Sequence, residues 1–239
     1  GLGDVYKRQE NMWAPDLPYK YRGPNHGFHP YDDGQHRVML AVRFPDGAYA
    51  GERVEETVRL IDIAPTIIDY LGLDWPGEPD GESMMPLIRG EEQDSERLVY
   101  IETGLSEKSY WHRGHRRYPF SKVSQRYEVD EETGLVAIKP EFRPHLIAGK
   151  DRVMQRGKWK LVWRPNTDGL PEVELYDREV DPHNRDNVYA RNIRVAVELG
   201  LLLEPFVVGD GESDEMFETW RRIRDSLDKR DSLPPIPRL

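Results

Sequence analysis

The sequence contains no cysteine, which excludes disulfides, thiolate metal sites and cysteine nucleophiles within these residues. No apolar run approaches the roughly 18 residues that a membrane helix needs. Positive charge is in short supply: 34 lysines and arginines face 44 aspartates and glutamates, for a formal net charge of −10. That balance argues against a general nucleic-acid or anionic-membrane binder. No internal repeat is visible. Gly1 to Gln9 lacks an initiator methionine, the apolar core of a signal peptide and any periodicity that continues past Glu10. It reads as an extraneous leader and is set apart from the fold. The remaining composition, 37% hydrophobic and 10% aromatic over 239 residues, suffices for one large packed domain or a core with a small appendage. A charged fraction of 33% with 19 prolines and 20 glycines implies generous exposed loops.

The chemistry-bearing residues gather at one turn, Asn25-His26-Gly27-Phe28-His29-Pro30-Tyr31-Asp32-Asp33, directly before Arg37-Val38-Met39-Leu40-Ala41-Val42-Arg43-Phe44. The second stretch is apolar and β-branched, is closed by Pro45, Asp46 and Gly47, and predicts a buried strand. A polar loop feeding a core strand is where α/β enzymes usually keep their chemistry. Two histidines there can carry charge or donate hydrogen bonds near neutral pH. A surface turn with incidental histidines is the other reading that these residues allow.

Further along, Asp62 predicts the N-cap of a helix, with Pro65 in its first turn, Gly72 beyond its end and Ile63, Ala64, Ile67, Ile68 and Leu71 as its core stripe. Ser83 to Gly90 reads as a short helix and Leu98 to Ile101 as a strand. Leu105 to Gly149 is a long irregular region with a small hairpin around Thr133-Gly134. The pattern then changes to antiparallel sheet: Arg152–Gln155 and Trp159–Trp163 about Arg156-Gly157-Lys158, then Val173–Asp177. On that hairpin Lys158 and Lys160 are expected on the solvent face. Asp181 to Asn184 is turn chemistry. Helices are expected over Asn187–Leu203 and about Ser213–Leu227, the latter on the stripe Met216, Trp220, Ile223 and Leu227.

Three blocks in this order resemble the C-terminal half of a sulfatase of the alkaline-phosphatase-like superfamily. The first is His26-Gly27…Tyr31-Asp32 with Arg37-Val38-Met39-Leu40 and Arg43-Phe44-Pro45. Sulfatases commonly have His-Gly, a spacer, Tyr-Glu or Tyr-Asp, then Arg-Val-Pro-Leu and a strand ending in Pro-Gly. The second runs from Leu60-Ile61-Asp62-Ile63-Ala64-Pro65-Thr66 through Gly72, then Gly81-Glu82-Ser83 and Pro86-Leu87-Ile88-Arg89-Gly90. The third is Arg156-Gly157-Lys158-Trp159-Lys160-Leu161, then Glu174-Leu175-Tyr176-Asp177, Asp181-Pro182 and Asn187. Together they cover most of Glu10 to Val188. Met39 stands where the family has proline, and Gln35 and His36 lengthen the loop. These departures bear on the substrate rather than on the fold.

The resemblance implies an α/β fold: the C-terminal part of an alkaline-phosphatase-like mixed sheet with helices, plus a small C-terminal antiparallel sheet packed with helices. It divides the chain into the leader 1–9, the end of the catalytic α/β domain 10–105, an insertion 106–150 and an antiparallel-sheet subdomain 151–239. The implied activity is hydrolysis of a sulfate ester on a sulfated small molecule or carbohydrate, with no nucleic acid and no membrane span. A periplasmic or extracellular place is favoured over the cytoplasm. Family members attack the ester with a formylglycine-type nucleophile made in a Cys/Ser-x-Pro-x-Arg motif, supported by Ca²⁺ or Mg²⁺ on oxygen ligands. Neither that motif nor the family's Asp-His-Gly or Asp-Asn-Gly metal pair occurs here. Glu10 matches the glutamate that often comes after the metal pair, so nucleophile and metal ligands are expected upstream of this chain. What the resemblance leaves here is the substrate end. His26 falls where the family sets a cation against the ester or leaving-group oxygens, as donor or general acid. His29 is a second substrate contact. Arg113 and His115, in the basic aromatic patch Trp111 to Tyr118, would suit a sulfated or phosphorylated sugar. Two rivals remain at this point: a phosphodiesterase or phosphonate hydrolase of the same superfamily, and a non-catalytic carbohydrate-binding module built on the Trp111 to Tyr118 patch.

Overall fold

A computed structural model of the chain describes residues 33–75, 77–91, 96–102, 127–142, 150–164, 171–209 and 215–231. They form a mixed α/β structure that separates into two compact units, one of Val38–Val99 and one of Gly1–Arg37 with Tyr100–Leu239.

The larger unit is built on a four-stranded sheet. Its strands are β1 (Val99–Glu102), β4 (Arg152–Arg156), β5 (Trp159–Arg164) and β6 (Glu172–Asp177), in the spatial order β1-β4-β5-β6. Strands β4 and β5 form the expected hairpin, antiparallel with Arg156 opposite Trp159 and Met154 opposite Leu161. Strand β6 adds antiparallel to β5, with Leu175 opposite Leu161. Because side chains alternate, this register sorts the sheet into two faces. Met154, Leu161 and Leu175 are fully buried on one. Trp163 shares that face and stacks on Phe217 at 5.1 Å, with Trp220 edge-on at 5.7 Å. A separate two-stranded hairpin, β2 (Tyr127–Val129) with β3 (Val136–Ile138), forms around Thr133-Gly134 as its turn chemistry predicts.

Phe217 and Trp220 belong to the last of the helices among the described residues, numbered α1 (Asp33–His36), α2 (Ile63–Tyr70), α3 (Met85–Ile88), α4 (Ile193–Gly209) and α5 (Glu215–Asp231). Helix α4 starts later than the apolar pattern predicts, because Asn187 is used otherwise: its Oδ1 accepts from the backbone N–H groups of Leu175 and Tyr189. It thereby pins the chain leaving β6 to the sheet edge. Helices α4 and α5 then cover the apolar face with Ala196, Val197, Leu203, Val207, Phe217 and Trp220, all essentially inaccessible to solvent. Full burial of each large side chain contributes about 1.5–3 kcal/mol. The two helices can lie this close because residue 200 is glycine. A Cβ there would stand 2.1 Å from Cζ3 of Trp220. Gly200→Ala gains up to about 1 kcal/mol of helix propensity and loses about 1–3 kcal/mol to overpacking against a ring with nowhere to go. The variant is therefore expected to melt at a lower temperature, as calorimetry would show; a higher melting temperature would contradict this packing.

The opposite face of the sheet is apolar only at its centre, where Val153, Val162 and Tyr176 pack with Ile101. Around them it carries buried charge. Arg164 Nη2 donates to Glu174 Oε2 at 2.7 Å, and the Tyr176 hydroxyl donates to the same oxygen at 2.5 Å. Lys160 lies on this face and is fully buried, which corrects its expected place on the solvent side. Lys158 is the exposed one and bridges Asp177 at 2.8 Å. Two positions apart within one strand, the two lysines would share a face, but only Lys160 belongs to the ladder. Lys160 pairs with Tyr176 inside it, whereas Lys158 sits in the turn.

In the Val38–Val99 unit, α2 and α3 form where helices are expected, but the expected core stripe of α2 is not its buried face: Ile67 and Leu71 are 53 and 56% exposed, and the buried residues of the helix are Pro65 and Thr66. Arg37–Phe44 does not become a strand. Val38, Met39 and Val42 are 56, 92 and 53% exposed. Among the described residues, the run's backbone bond is the Arg37 N–H to the Asp33 carbonyl at 2.8 Å. An apolar β-branched sequence fits a strand, but a ladder needs a second strand beside it, and none of the described strands pairs with this run.

Candidate functional site

His26, His29, Arg113 and His115 all lie outside the described residues, so the structure assigns them no contacts. Two charged clusters are described, one in each unit, and the sequence pattern identifies neither.

The first is centred on Asp33, at the end of the histidine turn. Lys160 Nζ donates to Asp33 Oδ1 at 3.1 Å, and Arg178 Nη2 donates to Oδ2. His36 Nε2 stands 3.5 Å from Oδ1. Burial alone would raise the Asp33 pKa, but the His36 contact and the charges of Lys160 and Arg178 outweigh it and hold the carboxyl well below the usual carboxylate range. Two hints of this cluster exist in the sequence. Tyr31-Asp32 and Arg156 to Leu161 are both blocks of the resemblance, and Lys160 shares a strand face with Val162. Nothing local joins positions that are 127 residues apart.

The second cluster organises the Val38–Val99 unit around Asp62, which is completely buried. Asp62 occupies the position before α2, yet its side chain makes no capping bond. The reason is backbone geometry. A 3-10 turn, Leu60–Asp62, leads straight into the helix, so Asp62 has helical φ and ψ rather than the extended values of a capping residue. Its carboxylate turns away and accepts from Arg59 Nη2 at 2.8 Å, Arg97 Nη1 at 2.7 Å and the backbone N–H of Glu82 at 2.9 Å. Arg97 in turn donates to the carbonyl of Ser83 at 2.9 Å, and Arg59 to that of Leu98 at 2.9 Å. Three separate segments are thereby tied to one carboxylate. The segment at 81 passes so close that a Cβ on Gly81 would lie 2.1 Å from the Ile61 carbonyl oxygen, so only glycine fits. On the helix side, the Thr66 hydroxyl donates to the Asp62 carbonyl at 2.6 Å and accepts from the Met84 N–H at 2.8 Å. The Leu-Ile-Asp-Ile-Ala-Pro-Thr and Gly-Glu-Ser blocks are thus two halves of one structural knot rather than reacting groups.

Neither cluster suits a divalent cation. Among the described residues no group of three histidine, aspartate or glutamate side chains could hold a metal ion. The half-buried carboxylate of Asp33 and the buried ones of Asp62 and Glu174 are each engaged by lysine or arginine. No described helix is long and apolar enough to cross a membrane.

Comparison with known proteins bears on residues of both clusters. The C-terminal family described as N-sulphoglucosamine sulphohydrolase matches residues 29–130. Steryl-sulfatase of Mus musculus is 35% identical over 86 residues, 34% of this chain and 14% of that protein. N-acetylglucosamine-6-O-sulfatase of Bacteroides thetaiotaomicron is 22% identical over 162 residues, 67% of this chain and 22% of its own length. The chain thus spans less than a quarter of either relative. Among solved structures, the phosphonate monoester hydrolase of Agrobacterium radiobacter aligns with a TM-score of 0.41 at 22% identity, over 74% of this chain and 33% of that one. Residues 29–130 are thus similar to the C-terminal family of a sulphohydrolase, and parts of the chain are similar to two sulfatases.

Proposed function

We propose that the chain works as the C-terminal part of a sulfuric-ester hydrolase acting on a sulfated small molecule or sulfated carbohydrate. The observation that carries this reading is the match of residues 29–130 to the C-terminal family of a sulphohydrolase, alongside two relatives named as sulfatases. In this reading residues 10–105 complete a catalytic α/β domain, 106–150 are an insertion, and 151–239 form the antiparallel-sheet subdomain. The exposed apolar side chains of Val38, Met39, Val42, Ile61, Ile67 and Leu71 support that division, since patches of this kind mark surfaces that another element covers. The nucleophile is of the formylglycine type. It and the ligands of a Ca²⁺ or Mg²⁺ ion come from outside these residues, in keeping with the absence of cysteine. His26 supplies the substrate-side cation, with His29, Arg113 and His115 as further contacts to the sulfated group or its sugar.

The test is sulfate release. The complete enzyme containing this chain is expected to liberate sulfate from an aryl sulfate or from glucosamine 6-sulfate, and the 239-residue chain alone with Ca²⁺ is expected to release none. Turnover by the isolated chain would overturn the placement of the nucleophile. A complete enzyme inert toward both esters would overturn the activity.

A further inference from the structure

The apolar stripe of α2 has core spacing, yet it is exposed. Ile61, Ala64, Ile67 and Leu71 follow one another at steps of three, three and four residues, a spacing that gathers them on one side of a helix. All four are exposed. In the same unit the run Val38–Phe44 is held to this helix by its last residue, whose ring lies 4.8 Å from that of Tyr70. Residues 38–43 are exposed throughout, and among the described residues no backbone hydrogen bond engages them. As a strand, the run would set Val38, Leu40 and Val42 on one face and Met39 and Ala41 on the other. A run apolar on both faces is the pattern of an inner strand with covered faces, whereas a strand beside solvent alternates or carries charge. Helix stripe and run thus combine the composition of an interior with the exposure of a surface.

We propose that residues 38–43 become an inner strand of a β-sheet supplied by the remainder of the complete enzyme, and that the exposed stripe of α2 packs on a face of that sheet. The inference rests on the reading of this chain as part of a larger hydrolase. Two observations select this occupant. The chain spans less than a quarter of either relative, so most of a protein of that length lies outside it. An inner strand also needs a neighbour on each side. A second copy that met the run across a twofold axis would pair one edge and leave the donors and acceptors of the other edge bare. Burial of the apolar side chains drives the docking, and the ladder sets its direction and register. The run passes from unpaired to paired on assembly, so its backbone reports whether the chain is docked.

Amide exchange on the complete enzyme and on the 239-residue chain is the test. The amides of residues 39–43 are expected to exchange at close to the unprotected rate in the chain and at least about 100-fold more slowly in the complete enzyme. A thiol probe reads the helix side, because the chain has no cysteine of its own. Ile67→Cys is expected to react with a maleimide in the chain and to be protected by a similar factor in the complete enzyme, as the mass of its peptide shows. Amides 39–43 that exchange as fast in the complete enzyme as in the chain overturn the proposal, and that measurement needs no substitution should the Ile67→Cys variant not assemble. Protection already present in the chain and lost on dilution identifies a second copy as the occupant and overturns the one assigned. Neither readout is turnover. An enzyme inert toward sulfate esters removes the proposed activity while the exchange rates still decide on docking, and an active enzyme with an unprotected run removes docking alone.

Discussion

Asp62→Ala is expected to cost about 3–5 kcal/mol, the usual loss when one partner of a buried charge cluster is deleted and the others stay buried. Arg97 is 2% exposed at its side chain and Arg59 13%, so neither guanidinium can recover its lost bonds from water without opening the segments it joins. Domains are stable by only about 5–15 kcal/mol, and the loss is therefore a large share of the whole. Amide exchange along Ile63–Tyr70, with the urea midpoint, reads it directly. Wild-type protection in the variant would mean that Asp62 is not the hub of its unit. The same carboxylate gives the pH dependence. Burial pushes its pKa up, but the bonds from Arg59, from the backbone of Glu82 and Arg59, and from Arg97 bring the net value below the ordinary 3.8. A folded-state value below the unfolded one means that its stabilisation is present in full above pH 3.8 and drains away as the pH falls through the folded value. Unfolding midpoints should therefore begin to fall below about pH 4, whereas a profile level into stronger acid would contradict the depressed carboxyl.

The second large effect is on rate. In the complete enzyme, His26→Ala is expected to lower kcat by about 100-fold or more, the usual result of deleting a donor aimed at developing negative charge. The loss should fall on kcat and kcat/KM together, because the interaction strengthens as charge builds on the ester oxygens. A change confined to KM would make His26 a plain binding residue. Unchanged kinetics would take it out of the site.

Where local chemistry decides, the sequence is readable. The hairpin at Arg156 to Lys158, the turn at Asp181 to Asn184 and the helix between Asp62 and Gly72 each depend on residues within a few positions of one another, and each is found. The misreadings share one cause. Arg37–Phe44 has the composition of a strand, but composition carries no information about whether another strand lies beside it. Asp62 has the identity of a cap, but the preceding 3-10 turn denies it the extended backbone a cap requires, and its partners Glu82 and Arg97 are 20 and 35 residues away. Lys160 reads as solvent-facing because lysines usually are; its counter-charge lies near the other end of the chain. Of the candidate site, His26, His29, Arg113 and His115 lie outside the described residues, whereas Asp33, which ends the histidine-bearing stretch of sequence, is a point of convergence in the structure. Its partners cannot be read from spacing, since they meet only when the sheet has formed.

The comparison that most directly tests the reading of this chain as part of a sulfatase is the ratio of kcat/KM for phenyl sulfate to that for a phenyl phosphonate monoester, measured on one preparation of the complete enzyme. A sulfuric-ester hydrolase predicts that sulfate is preferred by about 100-fold or more, equivalent to about 2.7 kcal/mol of transition-state discrimination. Equal turnover, or a preference for the phosphonate, would contradict the account and favour the phosphonate-hydrolase branch of the superfamily.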